Sequence, residues 1–314
     1  MDVNILKRLL SFGKFEKSYG DYKMSFKRGF IKKKLFHPKL LLFMTALFWG
    51  GTYVISKQAL DKLAPLQLVT YRFFIAFTTL FIIYYPSIKK NWRANLWPGI
   101  KLGLILTLAF LFQTYGLNFI TPSTAGFLSG LYVVMVGLFE SVIYKKKLSH
   151  SEWTGVILAI GGLLVISWRG TIIFNIGDLL TVLSAVCFAF HIIVTGRMVA
   201  SSNPETLTVF QFGTVAIIAW ILSPVKFGIL TLTSSTWISL IYLGVFATAV
   251  AFLFQTVAQK RTSSVSTAII LTLEPAFAAL IAFVIGAESI SLNLIVGGLL
   301  IIAGMLASSI QSEK

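Results

Sequence analysis

The feature that most constrains this chain is a succession of apolar runs, each near 20 residues, with only short polar stretches between them. A bilayer core about 30 Å thick needs about 20 apolar residues per crossing helix. Ten windows fit: 39–60, 66–86, 96–117, 121–144, 151–169, 177–198, 204–224, 235–257, 263–287 and 291–310, numbered here spans 1 to 10. The breaks between them carry Pro, Gly, Asn or charge, as at Ala64-Pro65, Pro86, Pro122, Lys145-Lys146-Lys147, Arg169-Gly170, Asn203-Pro204, Pro224 and Lys260-Arg261. Only 12% of the residues are charged, against about 25% in soluble domains. Such a chain has too few polar groups to cover a soluble surface, so lipid is its expected solvent. The expected fold is all-α, a polytopic membrane protein of ten transmembrane helices.

The net charge of +16 does not point to nucleic acid, because the charges are not arranged as a binding face. Ten Lys/Arg lie in residues 1–38, expected to be a basic cytoplasmic tail with no apolar stretch long enough for a signal peptide. Such a cluster also suits an anionic lipid surface, and Met24 is a second candidate start that would leave residues 1–23 outside the native chain. Lys and Arg favour cytoplasmic loops. With the amino terminus inside, 22 of them fall on the inner side and four on the outer side, Lys57, Lys62, Arg169 and Lys226. Without the tail the bias is still 12 to four. Both termini are therefore expected in the cytoplasm, with the chain multi-pass in the cytoplasmic membrane. The single cysteine, Cys187, excludes a disulfide within one chain, and His37, His150 and His191 show no metal-ligand spacing. No metal or cofactor is expected.

The chain also repeats itself at a spacing near 142. Gln113-Thr114 recurs as Gln255-Thr256, Thr124-Ala125 as Thr267-Ala268, and the pair Gly155 and Gly162 as Gly297 and Gly304. Five spans per repeat is an odd number, so the second half would enter the membrane from the opposite side. Inverted halves of this kind place a substrate site near the midplane between them.

The run Leu47-Phe48-Trp49-Gly50-Gly51-Thr52-Tyr53 with Lys57, followed by Tyr71-Arg72-Phe73, resembles the start of an EamA domain. Leu183-Ser184-Ala185-Val186-Cys187-Phe188-Ala189-Phe190 does so in the second half, and Leu273-Glu274-Pro275 with Gly286-Ala287-Glu288 is similar to a late signature of that family. The resemblance spans about residues 39–310. It implies the drug/metabolite transporter superfamily, with one five-helix repeat at 39–169 and a second at 177–310. The halves differ chemically: Leu131-Tyr132 stands where Glu274-Pro275 does, and Lys146 falls near the place of Glu288.

Polar side chains recur at helical steps on particular spans: Thr45, Trp49, Thr52 and Ser56 on span 1, and Ser184, Phe188, His191 and Thr195 on span 6. Spans 3 and 8 carry Thr107, Thr114 and Asn118 against Thr248, Gln255 and Gln259. Span 9 aligns Thr267 and Glu274, opposite Thr124 and Tyr132 of span 4. Such faces turn from lipid toward a path or toward one another, as hydrogen-bonded helix contacts. Glu274 is the sharpest candidate, because a charge at mid-bilayer costs roughly 2.5–3.5 kcal/mol unless a partner or cavity receives it. It suits a proton site, a partner for a substrate amine, an ion pair with Arg72, or support for the Pro275 turn. His191 suits proton exchange or neutral hydrogen bonding, and Arg72 an interfacial anchor or a gate. Glu140 is expected to pair with Lys145. Trp49, Tyr53, Tyr132 and Phe188 can form an aromatic wall. Gly155, Gly162, Gly297 and Gly304 read as helix packing, within a monomer or across a homodimer.

The expected function is a secondary transporter moving a small-molecule substrate, an amino acid or similar metabolite, by alternating access; its export direction is implied by the family resemblance. An extruder of drugs or lipid headgroups on the same scaffold is the alternative. No G-x-x-x-x-G-K-[ST] run is present, so ATP is not the expected driver. An intramembrane enzyme is disfavoured: H-E-x-x-H is absent, Ser129-Gly130 lacks a glycine two residues before the serine, and Gly177-Asp178 has no matched second aspartate.

Overall fold

The computed structural model describes residues 37–167, 175–223, 232–284 and 292–309. The basic tail up to residue 36, Arg169, Lys226 and the Gly286-Ala287-Glu288 motif lie outside the described residues. Among those described every element is helical. In chain order they are α1 (Pro38–Gly50), α2 (Thr52–Leu60), α3 (Pro65–Leu117), α4 (Pro122–Gly130), α5 (Tyr132–Val142), α6 (His150–Ser167) and α7 (Ile176–Val199). Then follow α8 (Pro204–Leu222), α9 (Ser234–Ile241), a π-helical segment (Tyr242–Val250), α10 (Ala251–Gln259), α11 (Ser264–Leu271), α12 (Leu273–Val284) and α13 (Leu292–Ser309). Six of the continuous or nearly continuous stretches are long and apolar enough to cross a membrane. The protein is a multi-pass helical membrane protein.

Prolines that read as breaks in the sequence act as helix starts. Pro38, Pro65, Pro122 and Pro204 occupy the first turns of α1, α3, α4 and α8, where a missing N–H costs nothing. Side-chain caps complete them: Thr121 Oγ1 accepts from the Thr124 amide at 3.3 Å, and Asn203 Oδ1 from the Thr206 amide at 2.9 Å.

The expected loop between spans 2 and 3 is absent. Residues 65–117 form one uninterrupted helical stretch of 53 residues. A straight helix of that length would set Phe73 and Phe110 about 55 Å apart, yet their ring centroids are 4.7 Å apart. The chain therefore doubles back without leaving helical geometry. The corner lies between Ser87 and Asn95, because both bond to Asn203: Ser87 Oγ to its Oδ1 at 3.3 Å, and its amide to Asn95 Oδ1 at 3.0 Å. Pro86 and Pro98 bracket the corner; each lacks a donor and clashes with the preceding turn, which is what bends a helix. The polar run Lys89, Lys90 and Arg93 marks a change of direction and not a loop.

Four helices are interrupted in mid-course. Gly51 separates α1 from α2, Leu131 separates α4 from α5, Thr272 separates α11 from α12, and the π-helical segment joins α9 to α10. The sequence reading put Pro275 inside a continuous span, loosening it. Instead Pro275 stands in the first turn of α12, where its N–H would have no acceptor within the helix. The local break is made by Thr272, whose hydroxyl donates to the Ile269 carbonyl at 2.6 Å.

Packing follows the small residues. A Cβ on Gly162 would lie 2.5 Å from the Gly297 carbonyl oxygen, and one on Gly304 would lie 2.8 Å from the Gly155 carbonyl oxygen. The four glycines thus bring α6 and α13 together within one chain. Gly50 does the same for α1 against α12, with 2.7 Å to Phe277 Cβ. Toward the centre, Phe73, Phe212 and Phe252 are fully buried, and with Phe110 and Phe188 they make edge or tilted contacts with centroids 4.7–6.0 Å apart. Each such pair contributes about 0.5–1.5 kcal/mol beyond area burial.

Candidate functional site

The interrupted helices meet around a narrow cavity. α1 and α2 supply Trp49, Thr52 and Tyr53. The two arms of α3 supply Arg72 on one side and Phe110 and Gln113 on the other. Ser129 and Tyr132 flank the break at Leu131; Phe188, His191 and Ile192 come from α7; Phe252 and Gln255 come from α10; Glu274 comes from the first turn of α12. The structure thus gathers onto one cavity the residues singled out as substrate-facing: Glu274, His191, Trp49, Thr52, Tyr53, Tyr132, Phe188 and Gln255, together with Arg72.

Five cavity residues were not singled out: Phe110, Gln113, Ser129, Ile192 and Phe252. A signal for three of them lay in the repeat. Gln113 is the counterpart of Gln255, and Phe110 and Phe252 stand 142 positions apart, the same spacing. Ser129 and Ile192 carried none.

Glu274 is 7% exposed and lines the cavity together with Tyr53, Ser129 and Tyr132. Gln113 Nε2 donates to the Tyr53 hydroxyl oxygen at 3.1 Å and reaches Ser129 Oγ at 3.4 Å. This chain of polar groups links α2, α3 and α4.

The expected ion pair between Arg72 and Glu274 is replaced by a different arrangement. Arg72 Nε donates to Thr248 Oγ1 at 2.6 Å and Nη2 to the Ala247 carbonyl at 3.4 Å. Its guanidinium lies 4.6 Å from the Phe110 ring centre. Arg72 is 4% exposed, so it is enclosed in the protein and does not reach outward as an interfacial anchor. Both acceptors sit in the π-helical segment, where Thr248 Oγ1 also donates to the Leu243 carbonyl five residues back at 2.7 Å. Trp49 Nε1 donates to the same Ala247 carbonyl at 2.8 Å. A π-helical turn at such a place is common at functional sites.

His191 Nε2 lies 2.8 Å from Gln211 Oε1. Its Nδ1, the Tyr132 hydroxyl and Gln255 Oε1 are buried and have no hydrogen-bond partner. A buried polar atom left unpaired costs about 1–3 kcal/mol, and these three belong to residues that line the cavity, where a solute could meet them. Other polar residues of the expected stripes are used internally. Thr45 Oγ1 bonds the Ala251 carbonyl at 3.0 Å, Ser184 Oγ the Ala109 carbonyl at 2.8 Å, and Thr107 Oγ1 the Gly103 carbonyl at 2.7 Å. Asn118 ends exposed as the C-cap of α3. Glu140 pairs with Arg197 at 3.0 Å and not with Lys145, because Arg197 on α7 stacks on Tyr144 at 3.6 Å and so points at α5.

A multi-pass helical protein that surrounds a buried polar cavity with interrupted helices has the build of a membrane carrier. The chain belongs to the EamA-like transporter family, which it matches over residues 38–168 and 175–310. It is 32% identical to an "Uncharacterized transporter" of Archaeoglobus fulgidus over 91% of this chain and 92% of that protein. It is 24% identical to the "Uncharacterized transporter YyaM" of Bacillus subtilis over 86% of this chain and 92% of the relative. A "Probable amino-acid metabolite efflux pump" of Salmonella typhimurium is 24% identical over 68% of this chain and 74% of its own length. A solved crystal structure superposes with a TM-score of 0.72 at 18% identity, covering 88% of this chain and 97% of the other, which is a likeness of fold.

Proposed function

We propose that this protein is a secondary transporter that exports an amino acid or a similar small metabolite across the cytoplasmic membrane by alternating access. The observation that carries the reading is the cavity itself: a carboxyl, a guanidinium and three unpaired polar atoms enclosed among aromatic rings, where the interrupted helices meet. In this reading the two arms of α3 are separate crossings. The chain then crosses ten times as two inverted five-helix halves, with both termini in the cytoplasm. The corner at Ser87–Asn95 and the breaks at Leu131 and Thr272, 141 residues apart, support that symmetry.

Glu274 is the coupling residue of this reading. It belongs to the second half and lines the cavity with Tyr53, Arg72 and Gln113 of the first, so adding or removing a proton there changes the charge where the halves meet. That is the requirement for tying a proton gradient to a change of access. Arg72 holds the π-helical segment against α3 and sets the opposite wall. The aromatic lining favours substrates with an apolar or flat portion, which keeps drug-like amphiphiles as a second class. The test is counterflow in proteoliposomes loaded in turn with amino acids and with lipophilic cations. Exchange of an amino acid at rates above empty liposomes supports the reading. Exchange of the cations alone assigns the scaffold to drug extrusion, and exchange of neither overturns both. Cysteine labelling from each side in a Cys187→Ser background checks the ten crossings and the placement of the ends.

A further inference from the structure

The orientation of two glutamine side chains at the cavity is set by a backbone carbonyl. Gln259 Nε2 donates to the Ile192 carbonyl at 2.7 Å, and Gln255 Nε2 donates to Gln259 Oε1 at 3.1 Å. A backbone carbonyl only accepts, so Gln259 must turn its NH2 group to Ile192 and its oxygen to Gln255. Gln255 must then spend its own NH2 group on Gln259, which leaves its oxygen on the cavity side. That oxygen is buried and unpartnered, on a residue 1% exposed that lines the cavity. His191 lines the same cavity and is also 1% exposed, and its ring meets Phe252 edge-on at 5.8 Å, one turn before Gln255 on α10. His191 Nε2 pairs with Gln211 Oε1 at 2.8 Å; with that amide oxygen as the acceptor, the neutral ring keeps a lone pair on Nδ1, which is also unpartnered.

We infer that Gln255 Oε1 and His191 Nδ1 are a pair of substrate-reading acceptors, so that the transported solute presents N–H or O–H donors, as an ammonium, primary amide or hydroxyl group, to them. Gln259 is the positioning residue that holds Gln255 in the accepting orientation. The inference rests on the carrier reading and narrows it. A site built around buried acceptors rejects analogues that lack the donor far more strongly than an apolar pocket rejects a change of size, because the acceptors are then left unmet. An apolar solute of matching shape would leave both atoms as they stand now. A carboxylate placed there would add repulsion between lone pairs.

The test is ligand-dependent thermal stabilisation of the purified full chain, with amino-acid counterflow as a second readout. The probes are the 20 L-amino acids and two matched sets: primary amides against methyl esters, and amines against their N,N,N-trimethyl forms. A ligand that prefers the folded state raises the melting temperature by an amount that reports its affinity. In at least one matched set, loss of the donor is expected to weaken binding 10-fold or more in the native chain, and less than 3-fold in Gln255→Met. Gln259→Leu is expected to shrink the difference in the same way while binding the donor-free partner as the native chain does. The double variant should behave like either single one. A Gln259 that only supported the fold would instead lower binding of both partners and add to the effect at Gln255. An equal loss for the native chain and Gln255→Met overturns the inference and leaves the carrier reading standing. Absence of any binder together with absence of counterflow overturns both.

Discussion

A guanidinium within an apolar span needs acceptors, and Arg72 finds them in a turn of π-helix. Thr248 and the Ala247 carbonyl take its donors; a lysine's donors radiate from one nitrogen without the planar fork, so they do not fall where Nε and Nη2 stand. Arg72→Lys is expected to cost about 1–3 kcal/mol through the unmet acceptors, read as a lower melting temperature in detergent. Glu274→Gln tests a different property. The amide has nearly the shape of the carboxyl, so the fold is expected to be retained, but the side chain has no titratable proton. Uptake driven by a pH gradient is expected to be abolished, while solute counterflow without a gradient persists. Unchanged pH dependence of the variant would remove Glu274 from coupling. Glu274 and His191 were legible in the sequence because each is a rare residue type for a span. Ser129 and Ile192 were not, because a serine or an isoleucine in a membrane helix has no property that separates lining from packing.

At the scale of elements, the glycines make the sharpest comparison. Gly161 and Gly162 are neighbours in α6, yet a Cβ on Gly161 meets nothing within 4 Å, whereas one on Gly162 would meet the Gly297 carbonyl at 2.5 Å. Gly161→Ala should be neutral or stabilising by up to about 1 kcal/mol, the helix-propensity gain. Gly162→Ala should destabilise by about 1–3 kcal/mol, since backbone has to move. Thermal melts of the two variants side by side measure the difference, and equal melts would show that α6 and α13 do not approach through this pair. The sequence made the glycine spacing visible but not the partner. It placed most helix ends well, because Pro, Asn and Thr punctuate them chemically. It missed the interruptions at Leu131 and Thr272: Gly130 and Pro275 stand close to them, but a single glycine or proline within a membrane span does not by itself fix a break. It also overread Lys89, Lys90 and Arg93 as a loop, because charge marks exposure and exposed backbone can stay helical.

For the molecule as a whole, the ion pair of Glu140 with Arg197 ties the end of α5 to the last turn of α7. In the ten-crossing arrangement this contact joins the two halves at their cytoplasmic ends, where a carrier closed on that side needs a latch. Arg197 is half exposed while the Glu140 side chain is 6% exposed, so the pair is worth about 0.5–1 kcal/mol after screening. Glu140→Gln is therefore expected to raise the population open to the cytoplasm by roughly 2- to 5-fold. A cysteine at Ser129 in a Cys187→Ser chain reports it, as faster labelling by an impermeant maleimide from that side. No change in rate would mean that the halves are held shut elsewhere.

The corner at Ser87–Asn95 has a consequence for handling the protein. Proteases cut chain that can be drawn out into an extended strand, and they act mostly at loop tips. Lys89, Lys90 and Arg93 are exposed and are of the type that trypsin recognises, but they sit on backbone still wound as a helix. Brief digestion of inside-out vesicles, whose accessible face carries this corner in the ten-crossing reading, should nick the chain elsewhere and leave residues 65–117 as one intact fragment.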